Sequence, residues 1–216
     1  IHSEGHEIAN HTMNHIQGFS SLSKKEKLEE IKAAEDIIYD TIKVKPVGFR
    51  APGWNIDEET LQILEKRNYL YDSSIFPSSI NPLLKFLYYR TSSKLSKLDR
   101  NTLGKIVYSL APTKPYHPDL NKIWKKGRSK IMEFPITVTP LLKIPFFGTF
   151  LHTFGKKFTR INYEIIKKFK IPINYEFHLV EFVNYSENIH YKKLVRDKGL
   201  YVPKTMQMDY KVKQDF

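Results

Sequence analysis

The chain has 216 residues, 41% of them hydrophobic and 27% charged, with no cysteine. That balance fits one globular domain or two small ones, and it excludes disulfides, thiolate metal sites and a cysteine nucleophile. No apolar run approaches the ~18 residues of a membrane-spanning helix, and 12 Pro and 9 Gly are too few for a fibrous or disordered chain. The net charge of +12 is unevenly placed: residues 1–84 carry 9 basic and 13 acidic side chains, whereas residues 85–216 carry 26 and 10. The basic part either favours anionic surfaces such as acidic glycans, lipid headgroups or nucleic acid, or is a solvated Lys-rich face. No recognition helix, aromatic ribonucleoprotein motif or zinc finger points to nucleic acid.

In chain order, the punctuation alternates strands with helices, an α/β layout. Gly5 to His15 is His-rich, with Glu7-Ile8-Ala9 reading as the end of a strand. Ser23 to Ile42 is helical: Leu28, Ile31, Ala34 and Ile38 recur at helical spacing, and Ser23 with Glu26 forms a capping box. Val44 to Phe49 reads as a strand that stops at the loop Arg50-Ala51-Pro52-Gly53. A second helix starts near Asn55 or Asp57 and carries Ile56, Leu61 and Leu64, and Tyr69 to Ser74 is the next strand.

Residues 81–130 blur into an aromatic, basic and Pro-punctuated stretch, read as a partly helical insertion. Within it Leu83, Leu84, Phe86 and Leu87, flanked by Lys85 and Arg90, have the composition of a membrane-contacting segment. Met132 to Thr139 resumes as a strand, Asn162 to Lys170 as a helix, and Ile173 to Phe182 as a strand with His178 near its end. Ser186 caps a last helix to Lys198, and Tyr201 to Pro203 closes the sheet.

Four constellations carry chemistry. His11 and His15, at i and i+4, lie on one face of a helical turn, either converging on a divalent cation or standing as two surface imidazoles. His2 and His6 share the spacing but sit in a strand-like stretch, where they are structural. Arg50 at a strand end offers a fixed cation, and the Ala51–Trp54 loop offers backbone N–H groups to an oxyanion; the alternative is a surface ion pair. Asp72 ends a strand as a functional carboxylate or as an Asx turn. His178, with Glu181 nearby, is an acid or a structural histidine.

Taken in order, His-x-x-x-His, Arg-Ala-Pro-Gly, Asp-Ser-Ser and a late Phe-His resemble the polysaccharide deacetylases, the NodB-homology enzymes of carbohydrate esterase family 4. Glu133-Phe134-Pro135 also matches the strand that follows the family's variable insertion. The resemblance implies a single deacetylase domain over 1–216, an incomplete, distorted TIM-like (β/α) barrel lacking its first strands. It assigns a divalent metal, usually zinc, to His11 and His15, with Thr12 orienting the turn. It makes His178 the general acid, tuned by Asp72, and gives Arg50 a catalytic carboxylate to hold. Gly53 and Trp54 fall to oxyanion and sugar contacts. The implied reaction is removal of N-acetyl groups from an amino-sugar glycan.

The family's Thr-Phe-Asp-Asp motif, source of the base and the third metal ligand, has no counterpart, because no two Asp are adjacent here. The chain, beginning at Ile1, therefore reads as a fragment entered at the family's third strand and inactive alone. The late His is followed by Leu179-Val180-Glu181 where several relatives have Pro-Trp-Glu, which leaves the substrate open. A small-amide, allantoin-like hydrolase of the same fold and a non-catalytic glycan- or membrane-binding homologue are the alternatives.

Overall fold

The computed structural model describes residues 1–91, 102–178, 181, 189–190 and 192–193. They belong to two compact units, one of residues 1–77 and 97–135 and the other of residues 78–96 and 136–216. The stretch 81–130, expected as one insertion, is divided between them.

The first unit opens with helix α1 (Lys24–Ile42). Its capping box is present: the Glu26 N–H donates to Ser23 Oγ at 3.3 Å, and Glu26 Oε2 accepts from the Ser23 N–H at 2.8 Å. Strand β1 (Gly48–Phe49) follows, then helix α2 (Glu58–Lys66), started by Asp57 accepting from the Thr60 N–H. Strands β2 (Tyr71–Asp72) and β5 (Met132–Glu133) complete a parallel sheet in the order β1-β2-β5, and Asn10 adds a parallel bridge to Phe49 beyond β1. On the far side Tyr116 pairs antiparallel with Glu133, next to a hairpin of β3 (Pro118–Asp119) and β4 (Lys122–Lys126). The described residues of this unit form an α/β arrangement without a closed barrel.

The strands are shorter than expected because the flanking residues lose their ladder partners. Pro46 and Pro135 have no N–H to donate, and Ser74 turns its hydroxyl to the Asp72 carboxylate at 2.6 Å. Phe19, Ile31, Phe49, Leu61, Leu64 and Tyr69 are among the residues that build the core under the sheet. Gly48 is fixed by space: a Cβ there would stand 2.1 Å from the Tyr71 ring.

The inward face of α1 differs from the expected one. Leu28 is exposed, whereas Lys27, Glu30 and Glu35 are buried with Ile31 and Ala34. Each buried charge has a partner from another element, which offsets its desolvation. Lys27 Nζ donates to Asp57 at 2.7 Å and Glu59 at 2.9 Å, Glu35 accepts from Arg67, and Glu30 accepts from Asn14.

In the second unit, helices α3 (Asn81–Thr91) and α4 (Gly148–Lys168) are the regular elements. α4 begins at Gly148 rather than near Asn162. Its first turns hide from a periodicity reading because Gly155 (φ 80°, ψ 175°) breaks the helical phase between Phe154 and Phe158. The expected strand Ile173–Phe182 does not form over the described residues 171–178. Its backbone bonds instead to Thr137, Asn174 N–H reaching Thr137 Oγ1 at 2.6 Å, and to the start of α4, Gly148 N–H reaching Glu176 O at 2.8 Å. Phe146, Ile166 and Ile171 form a small core there, with Tyr175 against it. Of the last expected helix, Ile189, His190, Lys192 and Lys193 are described and helical; Ser186, Lys198 and Tyr201–Pro203 lie outside the described residues.

The Lys27 pairing is open to test. Lys27→Met leaves Asp57 and Glu59 without their buried cation, and we expect a loss of about 2–4 kcal/mol in urea unfolding. Lys32→Met, which breaks an exposed pair with Asp36 on the same helix, should change stability by less than about 0.5 kcal/mol.

Candidate active site

Asn10 is fully buried, and its side-chain amide is bonded on both sides. Nδ2 donates to Ile31 O of α1 at 2.9 Å and to Tyr69 Oη at 2.8 Å, and Oδ1 accepts from the Thr12 N–H at 2.8 Å. Its backbone joins β1, with Asn10 N–H to Gly48 O and Arg50 N–H to Asn10 O. The chain leaves this anchor into a tight turn, not the expected helical one: Thr12 (φ 64°) and His15 (φ 49°) are left-handed. The turn is held at its far end by Glu30, whose carboxylate accepts from both the Asn14 N–H and the Asn14 amide.

The turn still brings His11 and His15 together, ring centroids 4.8 Å apart and edge to face. His11 Nδ1 lies 2.7 Å from Arg50 O. A carbonyl only accepts, so Nδ1 is the donor, and in a neutral ring the lone pair falls to Nε2, the nitrogen a metal would take. Thr12 Oγ1 is buried without a hydrogen-bond partner at the centre of the turn. The pair therefore fits two of the positions around a small divalent cation. Among the described residues no group of three or more His, Cys, Asp or Glu side chains gathers for a metal. His2 belongs to a short 3-10 turn (His2–Glu4) rather than a strand, with Nδ1 3.4 Å from His6 O.

At the C-terminal end of the sheet, Arg50 Nε donates to Ser73 O at 2.8 Å and Nη2 to Ser73 Oγ at 2.6 Å; Ser73 Oγ in turn donates to Phe134 O. The Ala51 N–H donates to Ser74 Oγ, and Ser74 Oγ to Asp72 Oδ1. The Arg50 loop is thus tied to β2 and the residues after β5 through two serines that the sequence reading treated only as a strand end.

Asp72 is fully buried and lies in register with Glu133, which is buried too. Their carboxyl groups stand on adjacent strands and perturb each other's titration. Burial pushes both carboxyls up, with the neighbouring Asp72 charge raising Glu133 further and the Arg50 cation pulling both down. Asp72 also accepts from the Ser74 hydroxyl and N–H. Glu133 Oε1 accepts from the Ile75 N–H at 2.9 Å. Glu133 was legible only as part of a strand; the signal for its role is register against Asp72.

Gly53 is left-handed (φ 58°), inside the Pro52–Trp54 turn. The Trp54 indole is buried and stacks on Phe76 at 4.7 Å, so one of its faces packs inward. His178 belongs to the second unit. Its ring is exposed, and the carboxylates beside it are its own sequence neighbours: Nδ1 is 3.4 Å from Glu181 and Nε2 3.6 Å from Glu176. Glu181 is buried and also reaches His152 at 3.5 Å. Asp72, expected to tune His178, is engaged by Ser74 and Glu133.

Residues 1–71 match the polysaccharide deacetylase family. A peptidoglycan deacetylase of Helicobacter pylori is 30% identical over 95 residues, 44% of this chain and 31% of that protein. Peptidoglycan deacetylase-like protein FGM2 of Gibberella zeae is 32% identical over 75 residues, 35% of this chain and 22% of its own. The chain thus spans a third or less of the length of these relatives. A polysaccharide deacetylase structure from Mycobacterium smegmatis aligns with 63% of this chain and 34% of its own at 20% identity, with a TM-score of 0.41. The resemblance read from Gly5–His15 and Arg50–Trp54 is to a polysaccharide deacetylase, and the family match covers the residues that carry both motifs.

The raised Glu133 carboxyl gives stability a pH dependence of definite sign. A carboxyl whose pKa is raised by folding contributes most below the ordinary glutamate value of 4.5, and that contribution is lost as pH rises toward its folded pKa. We expect the stability of the wild-type chain to fall, as pH rises above 4.5, more steeply than that of Glu133→Gln, which cannot ionise. Glu133→Ala should cost about 2–4 kcal/mol by denaturant unfolding.

Proposed function

We propose that this chain is part of a deacetylase that hydrolyses N-acetyl groups on an amino-sugar polysaccharide, with peptidoglycan as the substrate class. The observation that carries the reading is the His11–His15 pair, in which His11 is oriented through Nδ1 by the carbonyl of Arg50, the next motif in the family's order. The names of the two relatives support the substrate class.

In this reading His11 and His15 hold a divalent cation of the zinc type, which when bound lends Lewis acidity to an amide carbonyl and to water. Thr12 sets the turn. Arg50, braced by Ser73, presents a fixed cation to the carboxylate that acts as base. Asp72 and Glu133 form the buried floor that keeps the Arg50 loop in place. The loop at Gly53 and Trp54 lies against the substrate. His178, oriented by Glu181, protonates the departing amine. With two imidazoles and no adjacent Asp pair, the 216 residues hold zinc weakly and are inactive by themselves.

Two measurements test this. In calorimetric titration, His11→Ala should weaken zinc binding by the chain about 10- to 100-fold, while His178→Ala leaves it unchanged. In the complete protein, His178→Ala should lower acetate release from N-acetylated peptidoglycan by about 10²–10⁴. Undiminished release by that variant, or zinc binding indifferent to His11, overturns the reading.

A further inference from the structure

The second unit holds 17 basic and 7 acidic side chains, net +10 of the chain's +12. Two of its segments, joined by hydrogen bonds, carry a run of exposed apolar side chains. In the turn after Thr139, which Val138 and Pro145 close by a bridge, Leu141 is 85% exposed and Leu142 68%. Directly before α3, Ser78 Oγ donates to Lys143 O at 2.9 Å and Ser79 Oγ to Leu142 O at 2.5 Å. The leucine tip is thereby fastened at the start of α3, whose first turn carries Leu83, 55% exposed. Phe86 and Leu87, three and four residues further on, continue the exposed face. The Arg90 guanidinium lies 5.6 Å from the Phe86 ring, and Lys143 adjoins the tip.

An exposed apolar patch of this kind marks an interaction surface. Cationic side chains at its margin, on a unit of net +10, select an anionic partner. Apolar tips with a basic surround suit a bilayer interface, where leucines enter the acyl boundary and Lys and Arg meet headgroup phosphates. No described helix is long and apolar enough to cross a membrane, so the contact lies on the surface. From this juxtaposition we infer that Leu141, Leu142, Leu83, Phe86 and Leu87 form a docking face for a membrane carrying anionic phospholipid. A soluble acidic glycan would use the charges and leave the leucines idle.

The test is co-sedimentation of the 216-residue chain with vesicles of phosphatidylcholine alone or mixed equally with phosphatidylglycerol. Binding is expected to the mixed vesicles, at least about tenfold stronger than to the neutral ones at low salt, and weakened several-fold at high salt. Leu141→Asp combined with Leu142→Asp should cut binding to the mixed vesicles by about tenfold or more. These two side chains are outside the core, and an unchanged circular dichroism spectrum certifies the fold. A second variant, Phe86→Ser, should weaken binding in the same direction. Absence of binding to mixed vesicles overturns the inference, as does binding indifferent to both leucine and phenylalanine changes, which would leave only a basic surface. A dimer in light scattering that these variants dissolve would likewise overturn it by making the patch a self-association face.

Discussion

The first unit hangs on the side chain of Asn10. A primary amide buried without water must find partners for both donor and acceptor or cost several kcal/mol. Here the partners are a carbonyl of α1, the Tyr69 hydroxyl and the N–H that opens the His turn. One residue therefore ties a helix, the sheet edge and the His11–His15 turn together. The left-handed residues Thr12 and His15 are tolerable because both ends of the turn are held, by Asn10 at one side and Glu30 at the other.

The same economy of charge recurs around it. Lys27, Glu30 and Glu35 occupy core positions of α1, and each is neutralised or bonded by a residue of α2, of its flank or of the His turn. Such pairs contribute less to stability than to registry, because the desolvation cost nearly cancels the attraction while any mispaired arrangement leaves a buried charge alone. Asp72 and Glu133 apply this rule to two like groups. Burial pushes both carboxyls up, and the Arg50 cation pulls both down.

Much of this was legible in the chain. Ser23 and Glu26 announced the start of α1, Asp57 the start of α2, and the order of His, Arg-Ala-Pro-Gly and Asp-Ser-Ser pointed to the residues that do meet at the sheet edge. What was hidden depends on pairing across the fold. Periodicity assigned Leu28 to the core because it counts apolarity, whereas Lys27 is inside by virtue of Asp57 and Glu59, thirty residues away. The i,i+4 spacing of His11 and His15 implied a helical turn, whereas the rings meet across a turn with left-handed Thr12 and His15. Alternating Ile173, Tyr175 and Phe177 imitate a strand, yet the backbone of Asn174 and Glu176 between them bonds to a threonine and a helix start. Glu133 carries no local signal, because its partner is set by strand register.

Gly148 carries a consequence of a different kind. As the first residue of α4 it has ample helical company, yet a Cβ there would stand 2.0 Å from Glu181 Oε2. The bare Cα leaves room for that carboxylate to settle on the positive pole of the α4 macrodipole, an electrostatic seat shared with its histidine neighbours. The charge balance around His178 is thus set partly by the absence of a methyl group thirty positions earlier. In any homologous sequence with a larger residue at that point, the glutamate would be displaced from its seat. The pole would then draw its counter-charge from solvent.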